Sequence, residues 1–122
     1  MMTAEGQKRI VVTGMGIVSP LGCAVEEVWQ RLLAGRSGIR NLSGDITEGT
    51  GVAVGGQVPS LQEDAVAGYD PERFISVKDR KKMDRFIEFA LVAADEALAQ
   101  AGWHPTQASD QERTATIISS GG

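Results

Sequence analysis

The sequence predicts an α/β layered fold, and three observations carry that prediction. A β-branched run, Arg9-Ile10-Val11-Val12-Thr13, reads as a buried strand, and Thr114-Ala115-Thr116-Ile117-Ile118 reads as another. Between them lie two stretches of apolar residues at helical spacing, separated by a long polar segment. Strands covered on both faces need neighbours and covering helices, and this inventory leaves sheet edges open. A partner chain or the rest of a larger domain is therefore expected.

The first strand ends at Gly14-Met15-Gly16. Ser19-Pro20-Leu21-Gly22 then interrupts the pattern, because proline fixes its own φ and biases the residue before it away from helix. Val25, Val28, Trp29, Leu32 and Leu33 mark an amphipathic helix from about Ala24 to Ala34. Glu26 and Glu27 suit its positive end, and Gly35 is placed to stop it. Residues 35–72 are rich in Gly, Ser, Asp and Thr and read mostly as loop, with Val52 to Val58 resembling a short strand. A segment of that length without regular structure packs over something or carries function. The second helix repeats Met83, Phe86, Ile87, Ala90, Leu91, Ala94, Ala97, Leu98 and Ala101, and Gly102 ends it. Ser76 and Asp79 have the spacing of a capping box, which starts this helix near Val77.

Composition bounds the function. The chain has 122 residues, 42% hydrophobic and 23% charged, a balance that excludes collagen-like, disordered and disulfide-stapled classes. No apolar run approaches the roughly 18 residues that span a bilayer, and the N-terminus lacks the regions of a signal peptide, so a cytoplasmic setting is expected. One cysteine and one histidine cannot make a tetrahedral zinc site, so no metal is expected. His104, between Trp103 and Pro105 in an expected turn, is the single base available to a nucleophile. Cys23 reads as a packing residue, since Glu26 and Glu27 nearby oppose a thiolate.

Two motifs remain. Gly14-x-Gly16 after a strand invites a nucleotide-binding reading, but Ser19 holds the third glycine position and Pro20 delays the helix. The alternative is that these glycines allow a tight turn and close packing. The second motif is basic: six of the 12 Lys and Arg residues fall between 73 and 85, namely Arg73, Lys78, Arg80, Lys81, Lys82 and Arg85, on a chain of net charge −4. Positive charge at a helix start opposes the macrodipole, so local stability does not explain the run. It reads either as a solvated face or as a surface for an acidic macromolecular partner; nucleic acid is disfavoured by the net charge.

Taken in order, the segment from Val11 to Gly22, then Trp29 with Leu32 to Ile39, then Lys82-Met83-Asp84-Arg85-Phe86, resemble the N-terminal part of a β-ketoacyl-acyl carrier protein synthase of the elongating I/II type. The resemblance covers nearly the whole chain, residues 41 to 75 being least characteristic. It implies that residues 1–122 are an N-terminal portion of a layered α-β-α-β-α fold of the thiolase-like kind. It also implies a homodimeric acyltransferase of fatty acid elongation that condenses an acyl thioester with malonyl-acyl carrier protein, without a cofactor. In that family a cysteine takes the acyl chain and two histidines assist. These fall beyond Gly122, so no catalytic residue is expected in this chain and it is expected to be inactive alone. The family's basic helix start contacts acyl carrier protein, a role that passes by alignment to Lys78, Lys81 and Lys82, with Arg80 a lesser candidate. A stand-alone module binding acidic carriers is the alternative of a different class, and a nucleotide-binding α/β fragment is a further one. A polyketide or chain-length-factor role is not separable from fatty acid elongation on these residues.

Overall fold

The computed structural model describes residues 6–121. Residues 1–5, among those read against a signal peptide, and Gly122 lie outside the described residues. In chain order the elements are β1 (Val18–Ser19), β2 (Gly22–Cys23), α1 (Val25–Leu33), β3 (Ile39–Asn41), α2 (Gly44–Thr47) and β4 (Val54–Gly56). A 3₁₀ turn (Pro71–Arg73), α3 (Val77–Arg80), α4 (Arg85–Ala101) and α5 (Ala108–Glu112) follow.

Both helices of the sequence reading are present, the first as α1. The second is two helices. Ser76 Oγ accepts from the Asp79 N–H at 3.1 Å and starts α3 as the capping spacing predicts, but the chain leaves helix after Lys81 and Asp84 has extended backbone, φ −73° and ψ 155°. The short Asp79 carboxylate takes the Ser76 hydroxyl at 2.6 Å instead of reaching the Ser76 backbone. Helix α4 then runs 17 residues to Gly102, whose φ of +62° is the left-handed stop that glycine adopts without cost.

The interruption at Pro20 is a hairpin: β1 and β2 pair antiparallel, Val18 with Cys23 and Ser19 with Gly22. The predicted strand within Val52 to Val58 is β4, and it pairs with β3 as a second two-stranded sheet. The two buried strands expected at Arg9 to Thr13 and Thr114 to Ile118 are corrected. Both segments have no ladder partner among the described residues, and Ile10 is 96% and Ile117 91% exposed. A strand is defined by a neighbour that shares its hydrogen bonds, and β-branched composition alone does not supply one.

The chain from Gly14 to Ile17 runs against α4 instead. The Met15 N–H donates to Gln100 Oε1 at 2.7 Å and the Ile17 N–H to Glu96 Oε2 at 3.0 Å. Two strand residues advance about 6.7 Å. One helical turn of four residues advances about 6 Å, so side chains at 96 and 100 match N–H groups at 15 and 17. Glycine is required here because a Cβ at Gly14 would collide with the Ala97 carbonyl and one at Gly16 with the Ala93 carbonyl. The packing reading of these glycines holds. A hairpin follows Gly16 where a nucleotide site needs a helix N-terminus.

The core is small: Val28 from α1, Val92 from α4, and Ala67, Tyr69 and Ile75 from the segment between them. The loop-rich segment 35–72 thus supplies two of the buried residues, in agreement with its expected packing role. No helix among the described residues is long and apolar enough to cross a membrane.

Candidate functional site

Two places carry chemistry-bearing side chains. The first is a cleft of about 420 Å³ between the hairpin, the 61–74 segment and α4, lined by Cys23, Tyr69, Phe74, Val92 and Glu96. Burial pushes the Cys23 thiol up, and the carboxylates of Glu96 and Asp64 push it further, so it is held as a thiol. The sequence assigns this effect to Glu26 and Glu27, whereas the structure assigns it to burial and to two carboxylates distant in sequence. His104 lines a different cleft, beside Trp103 and Thr114 to Ile118, and lies in irregular chain just past the end of α4. The chain's cysteine and histidine do not share a cleft.

Glu96 is instead the N-terminal cap of α1. Ala24, at the cap position, has φ +73° and no side-chain hydrogen bond to offer, a strained conformation for a residue with a Cβ. The orphan Val25 N–H donates to Glu96 Oε1 at 2.7 Å. One carboxylate therefore binds the hairpin entrance and the helix start together, with its charge at the favourable end of α1.

The second place is the basic run. Lys78 is on α3, Lys81 is its C-terminal cap and Lys82 follows in the turn before α4; all three are exposed, and none is in a salt bridge among the described residues. The arginines differ. Arg80 Nε lies 3.4 Å from Glu88 Oε1, Arg85 stacks over the Phe89 ring at 5.2 Å, and Arg73 stacks over Phe74 at 5.4 Å. The same run thus divides into free ammonium groups and guanidinium groups engaged with the body of the protein.

The break before α4 also corrects one argument made from sequence. Lys78 and Arg80 stand in the last turn of α3, where positive charge is favoured, and not in the first turns of one long helix. Dipole opposition no longer singles out these residues. What does so is that three neighbouring lysines are exposed without an ion-pair partner, while the nearby arginines are engaged.

The architecture defines an α/β unit that carries three exposed lysines on α3 and the turn after it. The model of the β-ketoacyl synthase N-terminal domain matches residues 7–122, and the chain belongs to that family. It is 37% identical to 3-oxoacyl-[acyl-carrier-protein] synthase 2 of Rhizobium meliloti (strain 1021), over 93% of this chain and 27% of that protein. It is 39% identical to the mitochondrial 3-oxoacyl-[acyl-carrier-protein] synthase of Arabidopsis thaliana, over 96% of this chain and 27% of that protein. The solved ishigamide ketosynthase/chain length factor superposes with a TM-score of 0.59 at 34% identity, covering 77% of this chain and 21% of that one. The fold is the N-terminal part of a thiolase-like α/β architecture. The chain spans about a quarter of the length of the curated relatives it matches.

Proposed function

We propose that residues 1–122 are the N-terminal portion of a β-ketoacyl-acyl carrier protein synthase, a cytoplasmic homodimeric acyltransferase of fatty acid elongation. The reaction joins an acyl thioester, held on a cysteine, to the two-carbon unit left when malonyl-acyl carrier protein loses carbon dioxide. In this reading two histidines assist that loss and stabilise the thioester oxyanion. Cys23 and His104 take none of these roles, because the thiol is held protonated and the histidine lines another cleft. Family membership and the names of the relatives support the reaction class.

This portion contributes scaffold and a docking surface for acyl carrier protein. The observation that carries the docking reading is the set of three exposed lysines, Lys78, Lys81 and Lys82, on one short helix and the turn after it, with no acidic side chain paired to them among the described residues. Unpaired ammonium groups keep their field available to an acidic partner, and that field steers association as well as holding the complex.

The test is charge reversal. Lys78→Glu, Lys81→Glu and Lys82→Glu, together in the complete synthase, are expected to weaken acyl carrier protein binding by about tenfold or more at low salt, with the gap to wild type closing as salt rises. Equal affinity at low salt would refute the docking reading. The isolated chain, given acyl and malonyl carriers, is expected to form no condensation product, and product formation would refute the assignment of the nucleophile elsewhere.

A further inference from the structure

We infer that Arg80 is a positioning residue for the docking surface: through Glu88 and Tyr69 it holds α3, and with it Lys78, Lys81 and Lys82, against α4. The inference rests on the docking reading and goes beyond it, because it removes one cation from the contact set and gives it another task.

Glu88 is 7% exposed and is the one charged residue buried among the described residues. A carboxylate in such a place is tolerated only with partners, and it has two. The Tyr69 hydroxyl donates to Oε2 at 2.9 Å, and Arg80 Nε approaches Oε1 at 3.4 Å. Burial, then the Glu88 carboxylate, pushes the Tyr69 hydroxyl above its ordinary range, so it remains a donor throughout the physiological range. Tyr69 is itself fixed: its N–H donates to the Pro59 carbonyl at 2.7 Å, and its ring meets Phe89 edge to face at 5.0 Å. Three separate segments, the 59–69 loop, α3 and α4, therefore converge on one carboxylate.

Helix α3 needs that tie. It is four residues long, and a single turn does not hold its shape in water without tertiary contacts. Ser76 satisfies its N-terminal end, but among the described residues the exposed lysines contribute no ion pair that would hold it. Arg80 supplies its ion pair to the body, so the direction in which the three ammonium groups are presented follows from where Arg80 meets Glu88.

Charge and position make opposite forecasts for Glu88→Gln. If only charge counts, the variant removes a negative group and releases a guanidinium, so an acidic carrier binds more tightly. If Arg80 positions α3, the variant loosens the helix and binding weakens although the surface has become more positive.

The experiment titrates the complete synthase with acyl carrier protein at low salt, comparing Lys78→Glu, Glu88→Gln, Arg80→Gln and the Glu88→Gln/Arg80→Gln double variant. Hydrogen exchange of the Asp79 and Arg80 amides, both bonded to the Ser76 carbonyl at 3.0 Å, is followed without carrier. Expected are weaker binding in all four, about threefold to tenfold for each Glu88 and Arg80 variant, and a double variant no worse than the weaker single. In the Glu88 and Arg80 variants the α3 amides exchange faster, and the KM for carrier rises while kcat is unchanged. Tyr69→Phe, which removes one donor and keeps the ring, gives a smaller change of the same sign should Glu88→Gln fail to fold. Weakened binding in Lys78→Glu beside unchanged or tighter binding in Glu88→Gln overturns the positioning role alone. No change in Lys78→Glu overturns the docking reading and this role with it.

Discussion

Arg31 and Asp64, 33 residues apart, join in a two-armed ion pair: Nη2 donates to Oδ1 at 3.1 Å while Nη1 bonds Oδ2 and also donates to the Leu21 carbonyl at 2.7 Å. Asp64 Oδ1 further accepts from the Val66 and Ala67 N–H groups at 3.1 and 3.0 Å. The pair thus ties α1 to the hairpin turn and to the loop that carries Ala67 and Tyr69. Its side chains are only 11% and 15% exposed, which separates it from surface pairs of negligible worth.

The Arg31 guanidinium, in the first place, holds the Asp64 carboxyl well below the usual carboxylate range. A carboxylate depressed in the native state contributes stability above its unfolded pKa of about 3.9, and that contribution is lost as pH falls toward the native value. Asp64→Asn is expected to cost about 3 kcal/mol at neutral pH. In urea unfolding the gap to wild type should narrow steadily below about pH 4. A gap independent of pH would show that the charge of Asp64 is not what stabilises.

Glu96→Gln separates the two tasks of that side chain. An amide has one acceptor oxygen, so either the Ile17 or the Val25 N–H is left facing an NH₂ group. The expected loss is about 1 to 2 kcal/mol, with Glu96→Ala costing more. Chemical denaturation measures it, and an unperturbed midpoint for both variants would remove Glu96 from the account of α1.

Gly16→Ala should be among the most damaging single-methyl changes, since the new Cβ meets the Ala93 carbonyl and backbone cannot step aside as a flexible side chain can. About 3 kcal/mol is expected. Gly35→Ala, where a Cβ meets nothing but φ is +70°, is the control for conformational strain alone, at about 1 kcal/mol. Similar losses at both positions would mean that close packing on α4 is not the reason for Gly16.

The bare apolar segments make a forecast about association. Ile10, Val12, Ile117 and Ile118 are exposed on segments that join no helix or ladder among the described residues, the situation in which strands recruit one another. The 122-residue chain by itself is expected to associate with rising concentration, and Val12→Lys with Ile117→Lys to suppress this, as sedimentation would read. A wild-type chain that stays monomeric at high micromolar concentration would contradict it.

Local spacing made α1 and α4 legible, together with the Ser76 cap and the Gly102 stop, because each signal lies within a few residues of its effect. The break at 81–84 was hidden by Met83, whose apolar side chain keeps the helical period across a turn that is not helix. Glu96 was missed for a different reason: its partners are 71 and 79 residues away, so no motif announces them. The basic cluster was visible as composition. Its division into exposed lysines and engaged arginines was not, since it depends on Glu88, which reads in sequence as one more polar position on a helix. The two segments expected as buried strands are apolar as read but exposed and without a ladder among the described residues, because pairing belongs to two segments and composition to one.

The contact between Met15 and Gln100 spans 85 residues, and the Gly14 and Gly16 approach to α4 spans nearly as many. Closing so long a chain carries an entropic cost that local contacts do not bear, so such pairings form late. During synthesis at about 5–20 residues per second, the Gly14 to Ile17 segment is therefore made several seconds before the helix that receives it exists. For that interval the N–H groups of Met15 and Ile17 and the bare backbone of Gly14 and Gly16 are uncovered, and chaperone capture would be most valuable then.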